Sequence, residues 1–195
     1  MTQLEAGAYL LRPFVAADAP AFAAAIRESM SSVGKWMSWA HAEYTEEQAL
    51  SWFAFCDASR AEGSAHEFGI FLRDGVTLVG GGGLNQLNAV NSFCNLGYWV
   101  RESAQRQGAA IAATTALARY AFLHLNQARV EIVVAAGNEA SAAVARKAGA
   151  VHECVARNRL KLRGESVAAD VFSLIPDQAC QSTLTSPDLS IKVDA

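Results

Sequence analysis

The spacing of apolar residues changes near residue 65, and this change constrains the fold more than any other feature. Before it, Phe22, Ile26 and Met30 recur at helical intervals, and a second helix is predicted from its N-cap Thr45 to Gly63. After it, two strand-like segments flank a turn at Asp74-Gly75, as in a β-hairpin. Helices followed by paired strands predict a mixed α/β fold.

The rest of the chain continues this alternation of strands and helices. The segments at 8–14, 92–102 and 128–137 predict strands, and those at 152–162 and 167–175 predict a second hairpin around Gly164. Helices are predicted from Asp18, from about Gly108, and from Asn138 to Gly149. The helix after Gly108 is expected to bury a narrow stripe of Ile111, Thr115, Ala118, Phe122 and Leu125. The predicted order is β-α-α-β-β-β-α-β-α-β-β.

Length and composition indicate one domain. The chain has 195 residues, 52% of them hydrophobic, and a formal charge of −3. We expect a single domain over residues 1–178, followed by a loose tail over 179–195. The charge pattern has no block of Lys and Arg and argues against direct nucleic-acid binding. The start has no signal-peptide pattern, and no run is apolar enough for a membrane span. Four widely spaced cysteines predict reduced thiols. We therefore expect a cytoplasmic protein without a metal site.

The stretch "ESAQRQGAAIAATTA", residues 102–116, links a strand to a helix. Unpaired N–H groups at a helix N-terminus attract anions, and phosphates bind there. Gly108 would let the backbone approach a ligand, and Arg106 could add a charge-assisted contact. On these residues alone, a plain strand-to-helix turn explains the stretch equally simply.

The order of several motifs resembles the GNAT family of acyl-CoA N-acetyltransferases, over about residues 8–178. "QRQGAA" at 105–110 is similar to that family's Q/R-x-x-G-x-G/A pattern, and "NEASAAVARKAGA" is similar to its Asn-x-x-Ser helix. "LGYWV", "RVEIVV", "DVFSLI" and the paired tryptophans of "RESMSSVGKWMSWAH" resemble the branch that acetylates N-termini of ribosomal proteins, the RimJ/RimL-like enzymes.

This resemblance implies a fold, a co-substrate and a binding site. The fold would be a mixed, mostly antiparallel sheet of about six or seven strands with four main helices, in which two central strands splay apart. Acetyl-CoA would bind without a metal, and a homodimer is also implied. The pyrophosphate would lie on the amides of Gln107 to Ala110, and the pantetheine arm would pair with the backbone of a central strand. The implied cofactor-binding residues are Trp99, Val100, Gln105, Arg106, Gln107, Gly108, Ala109, Ala110 and Asn138, the last of which serves equally as a helix N-cap.

The groups that would move protons are less clear from the resemblance. Ala145 stands where many family members carry an acidic Tyr, so Ser141 is the implied catalytic group, although a helix serine can also bond locally. Asn95, an implied substrate-site residue, stands where the ribosomal-protein branch often has Glu, which leaves the base open. His66, Glu131, His152 and Glu153 are remote candidates. Trp36 and Trp39 would overhang the acceptor or simply pack in the core.

The activity implied is direct acetyl transfer to an amine, most simply a protein N-terminal α-amine. An α-amine has a pKa near ~8 and lysine one near ~10.4, so an enzyme without a strong base suits the α-amine. One alternative is an acetyltransferase for a small amine or antibiotic. Another is an acyl-CoA-binding or sensor protein without activity, which the changes at Asn95 and Ala145 favour. The sequence fixes neither the acceptor nor the acyl length.

Overall fold

A twisted sheet organises the computed structural model, which describes residues 2–176 and the backbone of residues 191–192. Nine strands lie in the order β7-β8-β6-β5-β4-β3-β2-β1-β9. The strands are β1 Gln3–Ala6, β2 Tyr9–Arg12, β3 His66–Leu72, β4 Leu78–Asn88, β5 Phe93–Val100, β6 Arg129–Ala135, β7 Val151–Leu162, β8 Glu165–Leu174 and β9 Ile191–Lys192. The helices are α1 Ala19–Glu28, α2 Val33–Trp36, α3 Glu46–Glu62, α4 Ala109–His124 and α5 Glu139–Lys147.

The mixed fold and the four main helices are confirmed, whereas the expected six or seven strands were too few. Eight strands lie within residues 3–174, because the first predicted strand is half of a hairpin that turns at Gly7, where φ is +62°. The ninth is a two-residue strand that pairs with β1. Apart from residues 191–192, the predicted tail lies outside the described residues, as do residues 177 and 178 at the end of the predicted domain.

The parallel pair β5–β6 opens into a splay. Residues Phe93–Asn95 pair with Arg129–Glu131, and no pairing between the two strands follows from Leu96 onward. All other neighbouring strands with a described register pair antiparallel. The splay therefore leaves an unpaired edge of β5 in the middle of the sheet.

Two hydrophobic layers cover the sheet. Helices α4 and α5 pack on one face, and α1, α2 and α3 pack on the other. The narrow stripe predicted for α4 is wrong, because Thr115 is exposed and Ile111 is only half-buried. The buried surface instead includes Ala113, Leu117 and Tyr120. Small alanines let both the sheet and α5 approach the helix, so a broad face is buried where large residues alone suggested a stripe.

The helix ends follow the predicted signals with one exception. Thr45 accepts a hydrogen bond from the backbone N–H of Gln48, and Gly63 ends α3 with φ +70°. Asp18 occupies the N-cap position of α1 but makes no cap bond. Its carboxylate instead pairs with Arg12 at 2.8 Å. Within the described residues, no helix is both long and apolar enough to cross a membrane.

Candidate active site

An aromatic cavity of about 320 Å³ opens on the α1–α3 face of the sheet. We call it the aromatic cavity; it is lined by Phe14, Phe22, Met37, Trp39, Tyr44, Trp52, Glu67, Phe68, Gly81, Gly82, Asn85, Gly97, Tyr98 and Trp99. Trp99 and Tyr98 point to opposite faces of β5, as neighbours on a strand do. Since both line the cavity, it reaches the edge of β5 that borders the splay.

Glu67 on β3 supplies the one charged side chain among these lining residues. Burial raises the pKa of its carboxyl above the ordinary 4.5, while a hydrogen bond from Asn85 and the nearby charge of Arg60 lower it. The group is therefore a better proton acceptor near neutral pH than an exposed glutamate would be. Sequence reasoning missed Glu67 as a base; the signal was its place in "HEFGIF", one residue out of phase with the buried His66, Phe68 and Ile70.

A row of polar side chains continues from Glu67 across β4 to β5. The Asn85 amide donates to Oε1 of Glu67 at 3.3 Å, and the Asn95 amide donates to Oδ1 of Asn85 at 2.9 Å. Asn95, predicted at the substrate site, thus lies one residue behind the cavity wall rather than on it. Asn95 carries no carboxylate, and the carboxylate of this row is that of Glu67 on β3, two strands away.

The four glycines of β4 make room for the cavity. A β-carbon at Gly83 would lie 2.1 Å from Oε2 of Glu67, and one at Gly81 would lie 2.7 Å from the indole nitrogen of Trp99. At Gly97, on the neighbouring strand, a β-carbon would meet no atom within 4 Å. The run "GGGG" is part of a strand, as the sequence pattern favoured. Because its residues have no side chains, the side chains of Glu67 and Trp99 fit beside it.

The remote base candidates lie in other surroundings. His66 faces Tyr120 on the α4 side of the sheet, and burial lowers the pKa of its imidazole. Glu131 pairs with Arg129, as does Glu153. His152 pairs with Asp170 at 2.8 Å, so none of the four reaches the aromatic cavity.

Two hydroxyls meet at the splay. Tyr98 donates to the backbone carbonyl of Ser141 at 2.9 Å, and the Ser141 hydroxyl donates to the Tyr98 oxygen at 3.1 Å. Burial raises the pKa of Tyr98 to about 12, against a smaller lowering by Ser141, so the phenol stays protonated at neutral pH. The sequence indicated Ser141 but not its partner Tyr98, because the two residues are 43 positions apart and meet only in the folded chain. Ala145 itself is fully buried.

The free edge of β5 is formed by the backbone of Tyr98 and Val100, beyond the last pair with β6 at Asn95. The N–H of Arg101 bonds to the carbonyl of Val79, so by antiparallel alternation the odd-numbered residues of β5 face β4 and the even-numbered ones face the splay. Trp99 was expected to offer its backbone to a ligand, and that expectation is wrong. Its peptide groups are used by β4, and its indole packs edge-on against Phe22.

The loop after β5 forms a concave turn that leads into α4. Arg106 and Gly108 have φ of +64° and +90°, and Gly108 is the N-cap of α4. The first helical bond runs from Ala112 N–H to the Gly108 carbonyl, so the earlier N–H groups of the helix have no intrahelical acceptor. A β-carbon at Gly108 would meet nothing within 4 Å, which leaves the approach to these donors open.

Side chains of the loop hold it in place. Gln105 donates to the Val100 carbonyl at 3.1 Å and to Ser32 Oγ at 3.0 Å, so its amide ties the loop to the end of β5 and to Ser32. The Gln107 carbonyl accepts a bond from Tyr9 Oη at 2.7 Å. Arg106 is exposed beside the turn.

A carboxylate fastens the start of the same loop to α1. Glu28 pairs with Arg101 and accepts a bond from the Ser103 N–H at 2.7 Å. The Arg101 bond is the largest cause that lowers the pKa of Glu28 to about 2. The helix that bears cavity residue Phe22 and the concave turn before α4 are thus joined directly.

The remaining predicted residues divide between the cavity and its surroundings. Trp39 lines the cavity at its mouth, 44% exposed, with its ring 6.1 Å from that of Trp99. Trp36 does not line it and lies under the ammonium of Lys35, at 4.8 Å from the ring centroid. Asn138 accepts a bond from the Ser141 N–H and caps α5. No group of three or more potential metal ligands was found in the part of the chain that the structure describes.

Comparisons with known proteins agree on one family. The family model described as "Acetyltransferase (GNAT) domain" matches residues 9–151. The chain is 33% identical over 163 residues to the "Putative ribosomal N-acetyltransferase YdaF" of Bacillus subtilis, which covers 81% of this chain and 86% of that protein. It is 32% identical to the structure of a putative ribosomal-protein-serine acetyltransferase from Vibrio cholerae, with a TM-score of 0.78 over 89% of this chain and 97% of the other. RimJ of Mycobacterium smegmatis, solved with a CoA disulfide, has the same fold at 21% identity, with a TM-score of 0.81 over 97% and 96% of the two chains.

Proposed function

Since the chain belongs to the GNAT family of acetyltransferases, which use acetyl-CoA, we propose that it acetylates the N-terminal α-amine of a protein, and of a ribosomal protein in particular. The names of the two relatives above 30% identity support the ribosomal acceptor. One observation carries the proposal. A partly buried carboxylate, Glu67, lines the same cavity as Tyr98, whose hydroxyl bonds to Ser141, and this cavity reaches an unpaired strand edge.

The concave turn before α4 and the free edge of β5 would hold acetyl-CoA. Its pyrophosphate would accept bonds from the N–H groups at residues 107–110, with Arg106 adding charge from the rim. The pantetheine amides would pair with β5 as an added strand, at Val100 and Tyr98. The Val100 carbonyl already accepts a bond from Gln105, so the pantetheine would rely on the Val100 N–H or share this acceptor.

The same edge gives the transition state a hydrogen-bond donor. When the amine nitrogen attacks the thioester carbon, negative charge develops on the carbonyl oxygen. The backbone N–H of Tyr98 faces the splay beyond the last pair with β6, so it can donate to that oxygen at no reorganisation cost.

Proton transfer would run from the acceptor to the leaving group along the cavity. Glu67 takes a proton from the attacking amine, directly or through one water. The C–S bond then breaks, and the thiolate takes a proton from the Tyr98–Ser141 pair. Both hydroxyls stay neutral near pH 7, so they can donate a proton or a hydrogen bond to sulfur.

This arrangement counts against a protein that only binds acyl-CoA. Asn95 and Ala145 remove two groups that relatives use, but Glu67 and Tyr98 provide a base and a hydroxyl from other positions. For the three cysteines that the structure describes, a covalent route is disfavoured too: burial raises the pKa of Cys56 and of Cys94 to about 12, and Cys154 lies on β7 outside the cavity. The cytoplasmic location and the homodimer implied by the sequence stay predictions.

Release of free CoA thiol tests the proposal. The purified chain is incubated with acetyl-CoA and either a peptide with a free N-terminus or the same sequence with a blocked N-terminus and an internal lysine. We expect turnover with the free N-terminus alone. Turnover only with the lysine peptide, or only with small amines, would contradict an N-terminal acceptor, and CoA binding without any turnover would support a sensor.

A further inference from the structure

We infer that the first residue of the acceptor has an apolar, uncharged side chain, which enters the aromatic cavity beside the reacting amine. This inference rests on the proposed function and adds the class of N-terminus that the enzyme selects. The specificity comes from what lines the cavity and from the single charge inside it.

Aromatic side chains form most of the cavity wall. Phe14, Phe22, Trp39, Tyr44 and Trp52 come from α1, α3 and the segments that flank them, and Trp99 comes from the sheet. The inner rings hold one another in fixed geometry: Phe22 meets Trp99 edge-on at 5.4 Å. Such a surface gains free energy when it buries an apolar side chain and provides few partners for a polar one.

The charge pattern excludes anions near the amine. No Lys, Arg or His lines the cavity among the described residues, and Glu67 is the one ionisable carboxylate there. A second carboxylate, on an N-terminal Asp or Glu, would therefore be desolvated beside a like charge. The ammonium form of the acceptor has the opposite charge to Glu67 and is attracted before it loses its proton.

The volume leaves room for a large side chain. A cavity of about 320 Å³ is roughly ten times the ~30 Å³ that one water molecule occupies in the liquid. Gly97 adds to this room, because a β-carbon at its position would touch nothing within 4 Å. An N-terminal Ala or Ser would leave most of the aromatic surface uncovered, whereas Leu, Met or Phe would cover it.

A peptide series tests the inference with the amine held constant. Four peptides differ only in a first residue of Leu, Asn, Asp or Ala; Leu, Asn and Asp have the same branched shape, so they separate polarity and charge from size. We expect kcat/KM for Leu to exceed that for Ala by at least about tenfold and that for Asn by about tenfold or more. The Asp peptide should fall below Asn by a further ~10-fold or more.

Two variants place the selectivity in the cavity. Trp39→Ala should lower kcat/KM for the Leu peptide severalfold and change it little for the Ala peptide. Leu123→Ala on α4, where the side chain is 45% exposed, removes a similarly exposed apolar group outside the cavity and should change neither. Equal turnover of all four peptides, or a preference for Ala or Asp, would overturn the inference while leaving N-terminal acetylation intact. No turnover of any peptide would instead count against the proposed function itself.

Discussion

Replacing Glu67 by Gln removes the proposed base and keeps the size of the side chain and its bond from Asn85. Base catalysis by a positioned side chain contributes ~10²–10⁴-fold, which is about 2.7–5.4 kcal/mol of the activation barrier. We expect kcat/KM for an N-terminal peptide to fall by that factor near pH 7. About tenfold of that loss should disappear as the pH rises past ~8, where the free α-amine is already neutral, whereas the proton that leaves the nitrogen during attack still needs a base.

The same substitution should make the protein more stable. Burial raises the pKa of Glu67 in the folded state, so between pH 4.5 and that raised pKa the folded chain binds more protons than the unfolded chain. The free energy of unfolding therefore declines as the pH rises through this window, and Glu67→Gln removes the decline. Activity at several pH values and thermal unfolding at pH 7 measure both effects.

A matched control separates this site from a general charge effect. Glu62→Gln alters an exposed glutamate at the end of α3 and should change neither activity nor stability appreciably. The reasoning would be refuted if Glu67→Gln kept kcat/KM within about threefold of the unaltered protein at pH 7.

The other predictions concern the CoA site, the proton donor and the space around the base. Gly108→Asp should weaken CoA binding by ~10²-fold or more in calorimetry, since it sets a carboxylate against a pyrophosphate, whereas Gly164→Asp, at a similar φ of +88°, should leave binding unchanged. Ser141→Ala and Tyr98→Phe should each lower kcat by ~10²-fold with little change in affinity for CoA; normal kcat in both would remove the hydroxyl pair from the mechanism. Gly83→Ala should displace the base and lower kcat/KM by ~10²-fold in a protein whose circular dichroism shows an intact fold; full activity would show that the displacement does not matter.

The order of elements could be predicted because it depends on local signals. The turns at Gly75 and Gly164 and the caps at Thr45 and Asn138 need only neighbouring residues, and all four are where the sequence predicts them. The strand β1 was missed because it is four residues long and is stabilised by pairing with β2 rather than by its own pattern. Pairing of this kind depends on tertiary contacts.

The site was predictable only where a contiguous motif forms it. The turn at Gly108 and the serine at 141 are encoded in single stretches, so the sequence indicated both. The proposed base was not, because the row from Glu67 through Asn85 to Asn95 is assembled from three strands. Only the register of β3, β4 and β5 brings the carboxylate of Glu67 into one hydrogen-bonded row with Asn95.

Tandem mass spectrometry of one product shows which amine receives the acetyl group and whether Glu67 is needed for the transfer. A peptide with a free N-terminal Leu and an internal Lys is incubated with acetyl-CoA and the enzyme, and the acetylated position is read from the fragment ions. We expect the unaltered protein to place a single acetyl group on the α-amine, and we expect this product to be nearly absent with Glu67→Gln at pH 7. An acetyl group on the lysine side chain, or equal product from the Glu67→Gln variant, would contradict it.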